Sequence, residues 1–136
     1  VGDIPFLKQV FACMKAFIID REDLKQSMQV IVNVIREVRA GRNYLIFAEG
    51  TRSKNGNHPG PFKGGSFKTA TKTKCPIVPV ALIDSFKAFD TGSTERITVQ
   101  VHILPPMYYE EYKDMHTTEL AEEVKRRIEK VIEENI

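Results

Sequence analysis

Apolar residues recur at two different periods along this chain, and the switches between them limit the folds open to it. From about Leu24 to Arg39, the residues Met28, Ile31, Val32, Ile35 and Val38 return at helical spacing, and Gly41 follows where a helix C-terminus favours a left-handed residue. The spacing predicts an amphipathic helix whose stripe packs into a core. On either side stand short apolar runs, "AFIID" at 16–20 and "NYLIFAE" at 43–49, with the length and composition of buried strands. A third run, "CPIVPVALID" at 75–84, contains Pro76 and Pro79, which place it at a sheet edge or start it after Pro76 with a bulge at Pro79.

"RITVQVHIL" at 96–104 alternates cleanly and predicts a further strand. Ser66, after Gly64 and Gly65, is placed to cap a short helix through "SFKTATKTK". Thr118 is placed to cap a last helix with Leu120, Val124, Ile128, Val131 and Ile132 on one face. Strands alternating with helices predict an α/β domain, a mixed and partly parallel sheet flanked by helices. At 136 residues the chain is one domain's worth, and 42% hydrophobic with 28% charged residues is the balance of a globular protein with a real core, not of a disordered one. Cys13 and Cys75 have neither metal-ligand spacing nor the density of a disulfide framework, so both are expected as buried thiols in a reducing compartment. No apolar stretch approaches the roughly 18 to 20 residues needed to cross a bilayer. The opening segment "PFLKQVFACMKAFII" still carries enough Phe, Leu, Val and Met to lie against a bilayer or another segment.

Between the second and third runs lies "GTRSKNGNHPGPFKGG", whose five glycines and two prolines read as a long loop of the kind that usually carries function. It opens on Glu49, Gly50, Thr51 and Arg52, directly after an apolar run, the place where α/β folds form their ligand crevices. Arg52 offers a planar fork of donors that suits a phosphate, Thr51 adds a hydroxyl, and Gly50 lets the backbone turn and approach a ligand. Glu49 would repel a phosphate, which leaves it to hold an arginine, cap a backbone amide or orient a hydroxyl. A surface ion pair between Glu49 and Arg52 is the plainer alternative. Residues 36–74 hold nine Lys and Arg against two acids, whereas 110–136 hold nine acids against five bases. The basic block, including Lys63, Lys68, Lys72 and Lys74, fits an anionic partner and a solvated face alike. It lacks the interleaved aromatics and recognition helix of a nucleic-acid binder, so no nucleic acid is expected as partner.

The string "FAEGTRS" resembles the F-P-E-G-T-R-S motif of the glycerolipid acyltransferase family, with Ala48 where proline is usual. Three further blocks follow the family's order: "AFIIDR" at 16–21 is similar to its F-I-x-R block, "PFKGGSFKTA" at 61–70 to its F-K-x-G segment, and "PIVPVAL" at 76–82 to its V-P-V block. The resemblance covers nearly the whole chain and is closest to the 1-acylglycerol-3-phosphate acyltransferases. It implies a glycerol-3-phosphate acyltransferase-like α/β fold and transfer of a fatty acyl group from a thioester of coenzyme A or acyl carrier protein, with no metal or other cofactor, to the free hydroxyl of lysophosphatidate. The product would be phosphatidate, made in phospholipid synthesis at the cytoplasmic face of a membrane. It also implies that Arg21, Glu49, Gly50, Thr51 and Arg52 hold the acceptor's phosphate and glycerol, with Lys63, Gly64 and Pro79 in support.

In family members a histidine and an aspartate in the pattern H-x-x-x-x-D deprotonate the attacking hydroxyl. Here the histidines are His58, His102 and His116, and five positions later stand Lys63, Met107 and Ala121, so none completes the pattern. The family's order puts that block before the segment matching "GDIPFLKQVF". The expectation is therefore a single acyltransferase domain over residues 1–136 without its N-terminal catalytic block, and no acyl transfer by the isolated chain. His58 beside Pro59 is expected to be solvent exposed, and His102 to face away from Val101 and Ile103. Two alternatives stay open: a family member acting on glycerol 3-phosphate or another lysophospholipid, and a non-catalytic module that binds phosphate or anionic lipid.

Overall fold

Asp23 precedes the longest apolar-periodic stretch of the first half, and its carboxylate does what an N-cap must. Its Oδ1 accepts from the backbone N–H of Lys25 at 2.9 Å and of Gln26 at 3.0 Å. The computed structural model describes residues 5–19, 23–90, 92 and 94–136. The chain divides into two units, Val1–Tyr44 and Leu45–Ile136.

The first unit holds α1 (Pro5–Cys13) and α2 (Leu24–Arg39). Helix α1 ends as the N–H of Ala16 reaches the carbonyl of Phe11 at 2.9 Å, with Lys15 in the left-handed region that glycine usually fills. Helix α2 ends at Ala40 with Gly41 at φ 88°, at the boundary the periodicity predicts. Its buried line is not the expected stripe: Val30 and Val34, which lie outside that stripe, are buried, whereas Ile31, Ile35 and Val38 are half-buried and Met28 and Val32 are 65% and 56% exposed. At about 100° per residue, Met28 and Val32 lie more than a third of a turn from the Val30–Val34 line. Apolar positions that sweep so much of the circumference cannot all face one neighbour. Cys13 is exposed and Cys75 half-buried, both as free thiols, so neither is the buried thiol expected. Cys13 ends α1 beside the exposed Met14, on backbone that leaves the helix instead of packing under it.

The second unit is built on its last helix. A 3-10 turn (Gly64–Phe67) runs into α3 (Lys68–Thr73); β1 (Val80–Ile83), α4 (Lys87–Asp90), β2 (Gln100–Ile103), α5 (Tyr109–Tyr112) and α6 (Thr117–Glu133) follow. Helix α6 buries Leu120, Ala121, Val124, Ile128 and Ile132, one face at helical spacing, and packs on β1 and the 3-10 turn. Phe67, Ala81, Ile83, Leu104, Met107 and Tyr112 complete this core. The cap of α6 is His116, not Thr118: Glu119 Oε2 accepts from the His116 backbone N–H at 2.8 Å, which starts the helix two residues earlier. Ser66 likewise does not cap α3; it lies inside the 3-10 turn and its hydroxyl donates to the Ala48 carbonyl at 3.5 Å.

Strands β1 and β2 pair antiparallel, with Ala81 opposite His102 and Leu82 opposite Val101. Ahead of β1, Ile77 and Met107 exchange two backbone hydrogen bonds of 2.9 and 2.7 Å, and the Pro79 carbonyl accepts from Leu104 N–H at 3.0 Å. Pro79 thus interrupts the regular strand without ending the pairing. His102 lies on the opposite side of β2 from the exposed Val101 and Ile103, as expected, with its Nε2 3.1 Å from Gln100 Oε1. The runs at 16–20 and 43–49 carry no ladder among the described residues, and Asp20 lies outside them. A two-sided apolar run becomes a strand only where another strand offers an edge and both faces are covered. Leu45 and Phe47 are 73% and 69% exposed, so neither condition is met for the second run. The chain is therefore a mixture of helices and a small antiparallel sheet.

Tyr112 ties these pieces together. Fully buried, its hydroxyl donates to the carbonyl of Cys75 at 2.5 Å and lies 3.3 Å from that of Ala70, within α3. Burial, helped by the neighbouring Cys75 and Tyr109, pushes its hydroxyl up to about 12. A raised value means the neutral form is favoured by folding. Its contribution is complete below the ordinary tyrosine range near pH 10 and is lost as pH rises towards 12. Tyr112→Phe is expected to cost about 1 to 3 kcal/mol at neutral pH, by leaving the Cys75 carbonyl without this donor, and to remove the part of the alkaline destabilisation due to this group. Urea titrations of both proteins at pH 7 and at pH 11 check both effects.

Candidate functional site

The loop that follows Phe47 is closed on itself by groups it carries. Gly50 N–H donates to the Phe47 carbonyl at 3.0 Å, a turn that holds Gly50 at φ 65°. The Lys63 N–H returns to the Ala48 carbonyl at 2.9 Å. Between these contacts Glu49 Oε2 accepts from Gly60 N–H at 2.7 Å. Of the roles open to Glu49, capping a backbone amide is the one the structure presents: its carboxylate spans the neck of the loop. Gly60 sits so close that a side-chain carbon there would lie 3.0 Å from that same oxygen.

Lys63 lies across the turn. A side-chain carbon on Gly50 would stand 3.4 Å from Lys63 Nζ, so the ammonium rests beside the Glu49–Gly50 backbone. Gly64 next to it lies so near the start of α6 that a side-chain carbon there would stand 3.2 Å from the backbone of Thr117 and Thr118. Glu49, Gly50, Lys63 and Gly64 are thus brought together, while Thr51 and Arg52 stand exposed at the loop's outer side. Pro79 is fully buried ahead of β1, with its carbonyl in the pairing already described. Arg21 lies outside the described residues.

The outer part of the loop is tied to itself and to β1. Ser53 Oγ donates to the His58 carbonyl at 2.8 Å and accepts from Asn55 N–H at 3.1 Å, leaving the His58 side chain exposed as expected. Asn57 and Asp84 are bonded twice, Asn57 Nδ2 to Asp84 Oδ1 at 3.1 Å and Asp84 N–H to Asn57 Oδ1 at 2.7 Å. Lys87 Nζ stands 2.8 Å from Asp84 Oδ2, and the Lys87 and Asn57 donors hold that carboxyl below the usual carboxylate range. Sequence reasoning did not single out Asn57, Gly60 or Asp84. Their roles depend on partners 11 or 27 positions away, for which local spacing carries no sign.

The product of this folding is a glycine-rich turn closed at its neck, with Thr51, Arg52 and Lys63 exposed; an arginine fork, a hydroxyl and an ammonium are groups that suit a phosphate ester. Gly50→Ala is expected to cost about 1 to 2 kcal/mol, because φ 65° is a left-handed conformation and Lys63 lies at ordinary contact distance. The urea midpoint of the variant checks it, with an unchanged midpoint the contrary result. A separate cleft of about 240 Å³ opens within the first unit, lined by Lys15, Ala16, Phe17, Glu37, Arg42 and Tyr44.

A family model described as Acyltransferase matches residues 1–83. The chain is 34% identical over 108 residues to the chloroplastic 1-acyl-sn-glycerol-3-phosphate acyltransferase BAT2 of Brassica napus, an alignment covering 77% of this chain and 31% of that protein. It is 30% identical over 124 residues to the 1-acyl-sn-glycerol-3-phosphate acyltransferase of Helicobacter pylori, covering 84% and 52%. The enzyme of that name from Escherichia coli is 30% identical over 132 residues, covering 96% and 54%. The chain thus spans between about a third and about half the length of these relatives. No solved structure gave a significant match.

Proposed function

The chain belongs to the acyltransferase family, and from that premise we propose that it forms the acceptor-binding part of a 1-acylglycerol-3-phosphate O-acyltransferase. Lysophosphatidate is the acceptor, and an acyl thioester of coenzyme A or acyl carrier protein is the donor. The observation that carries this reading is the braced turn at Glu49–Gly50, where the carboxylate caps the Gly60 N–H, a role that accounts for an acid beside a phosphate site, with Thr51 and Arg52 exposed directly after it. Arg52 holds the phosphate through its fork, Thr51 donates to a phosphate or glycerol oxygen, and Lys63 adds charge beside the turn. The resemblance of the F-I-x-R block adds Arg21 to the proposed acceptor-binding residues. This fixes the glycerol moiety so that its free hydroxyl faces the thioester.

In the reaction the hydroxyl oxygen attacks the thioester carbonyl carbon as its proton passes to a general base, the carbon–sulfur bond breaks with its electron pair leaving on sulfur, and the protonated base returns the proton so that the thiol is released. That base belongs to an H-x-x-x-x-D block supplied by sequence outside these 136 residues, since none of His58, His102 and His116 has an aspartate five positions on. In the complete domain the run at 43–49 joins a partly parallel sheet of the glycerol-3-phosphate acyltransferase type. The enzyme works at the cytoplasmic face of a membrane, held peripherally or through another segment; no helix of the described residues is long and apolar enough to cross one.

The test is turnover. The intact protein is expected to convert lysophosphatidate and acyl-CoA to phosphatidate, with a kcat/KM at least about tenfold above that for glycerol 3-phosphate, whereas residues 1–136 alone give none. Equal use of glycerol 3-phosphate would overturn the acceptor assignment. Turnover by the 136-residue chain near that of the intact protein would overturn the placing of the base.

A further inference from the structure

We infer that Asn57 and Asp84 form a latch that positions the Thr51–Arg52 segment for the acceptor, an inference that rests on the reading of that segment as the phosphate contact. The two side chains make a closed pair: the Asn57 amide donates to Asp84 Oδ1 and its oxygen accepts from the Asp84 backbone N–H. Asp84 sits at φ 64°, a left-handed conformation that aspartate tolerates better than most residues, and this turn directs its N–H at the loop. The second carboxylate oxygen is held by Lys87, so each oxygen of Asp84 has its own partner. Beside the pair, Gly56 at φ 60° lets the loop backbone lie against Phe86, whose ring would stand 3.5 Å from any side-chain carbon added there.

Asp84 follows directly on β1, whose Ala81 and Ile83 are buried in the core, so the latch fastens the outer loop to a core strand of the second unit. Thr51 and Arg52 then lie between two fixed points, the Glu49–Gly60 brace at the neck and the Asn57–Asp84 pair on the flank. An exposed segment held this way loses little freedom on meeting its ligand, and its donors keep the placement that catalysis requires. In this role the pair acts through Thr51 and Arg52. Its effect belongs to acceptor binding and should leave the donor's alone.

The experiment uses the intact protein and a swap. N57D places two carboxylates face to face and is expected to raise the KM for lysophosphatidate about tenfold while the KM for acyl-CoA stays within about twofold. In N57D/D84N the amide and carboxylate have exchanged places, so the carboxylate at position 57 accepts both from the amide and from the backbone N–H at 84. The KM for lysophosphatidate should return to within about twofold of the parent, a recovery that general damage to folding would not give. R52A is measured alongside. If R52A raises the acceptor KM and N57D does not, or if the double variant fails to recover, the latch is wrong and the acceptor reading stands. If N57D raises both KM values equally, the latch is again wrong. If R52A leaves the acceptor KM unchanged, the reading of the loop falls and the latch with it.

Discussion

Replacing Arg52 with alanine in the intact protein is expected to lower kcat/KM for lysophosphatidate roughly 30- to 800-fold, the equivalent of about 2 to 4 kcal/mol for a charged hydrogen-bonding pair lost from a bound phosphate. The size follows from geometry and from charge. The guanidinium meets a dianionic ester with two parallel donors, which a lysine cannot reproduce, so Arg52→Lys should recover only part of the loss. Arg52 is exposed, and substitutions at exposed positions usually change stability little. The urea midpoint should therefore stay near that of the parent. If phosphate contact is equal in ground and transition states, the fall appears in KM; if it strengthens as the hydroxyl attacks, kcat falls too. An acceptor kcat and KM both unchanged would remove Arg52 from the site.

The second large effect is on stability. Leu120 is fully buried on the inner face of α6, among the residues by which that helix covers β1 and the 3-10 turn. Leu120→Ala removes its contacts and leaves a cavity that close neighbours fill only in part, so the expected cost is about 3 to 5 kcal/mol. Domains of this size are stable by about 5 to 15 kcal/mol, so this one change takes a large share of the total. Because Gly64 is pressed against the start of the same helix, loosening α6 also loosens the neighbourhood of Lys63. Urea unfolding with an unchanged m-value and a lower midpoint is the expected record, and a cost under about 1.5 kcal/mol would show that α6 is not the keystone of the second unit.

Elements whose stability is local could be read from the chain alone. Helix α2 keeps both boundaries, and the apolar line of α6 buries Leu120, Val124, Ile128 and Ile132 where the spacing put them. The ends were less legible where a cap depends on which neighbour reaches back: Glu119 makes His116 the start of α6, although Thr118 has the better intrinsic cap chemistry. Strands were less legible still. The runs at 16–20 and 43–49 have the right residues, but a strand is completed by an edge elsewhere in the fold, and no local pattern contains that edge. At the site, glycine content marked the loop and Gly50 its turn, because φ 65° is a property of one residue. The work of Glu49 stayed open among three roles until Gly60 was found under its carboxylate, and the Asn57–Asp84 pair joins residues with no shared sequence signal.

The way Tyr112 is held has a practical side. The chain has no tryptophan and four tyrosines, so its ultraviolet emission is tyrosine emission alone. Tyr44 ends the first unit, while Tyr108, Tyr109 and Tyr112 all belong to the second, with the Tyr109 ring edge-on to Tyr112 at 5.5 Å. Of the four only Tyr112 is sealed from solvent, its phenol fastened to the carbonyl of Cys75. When Tyr112 of α5 parts from α3 and Cys75, that phenol meets water and its absorbance and emission change together. The protein thus carries an optical gauge of its second unit, readable without any label.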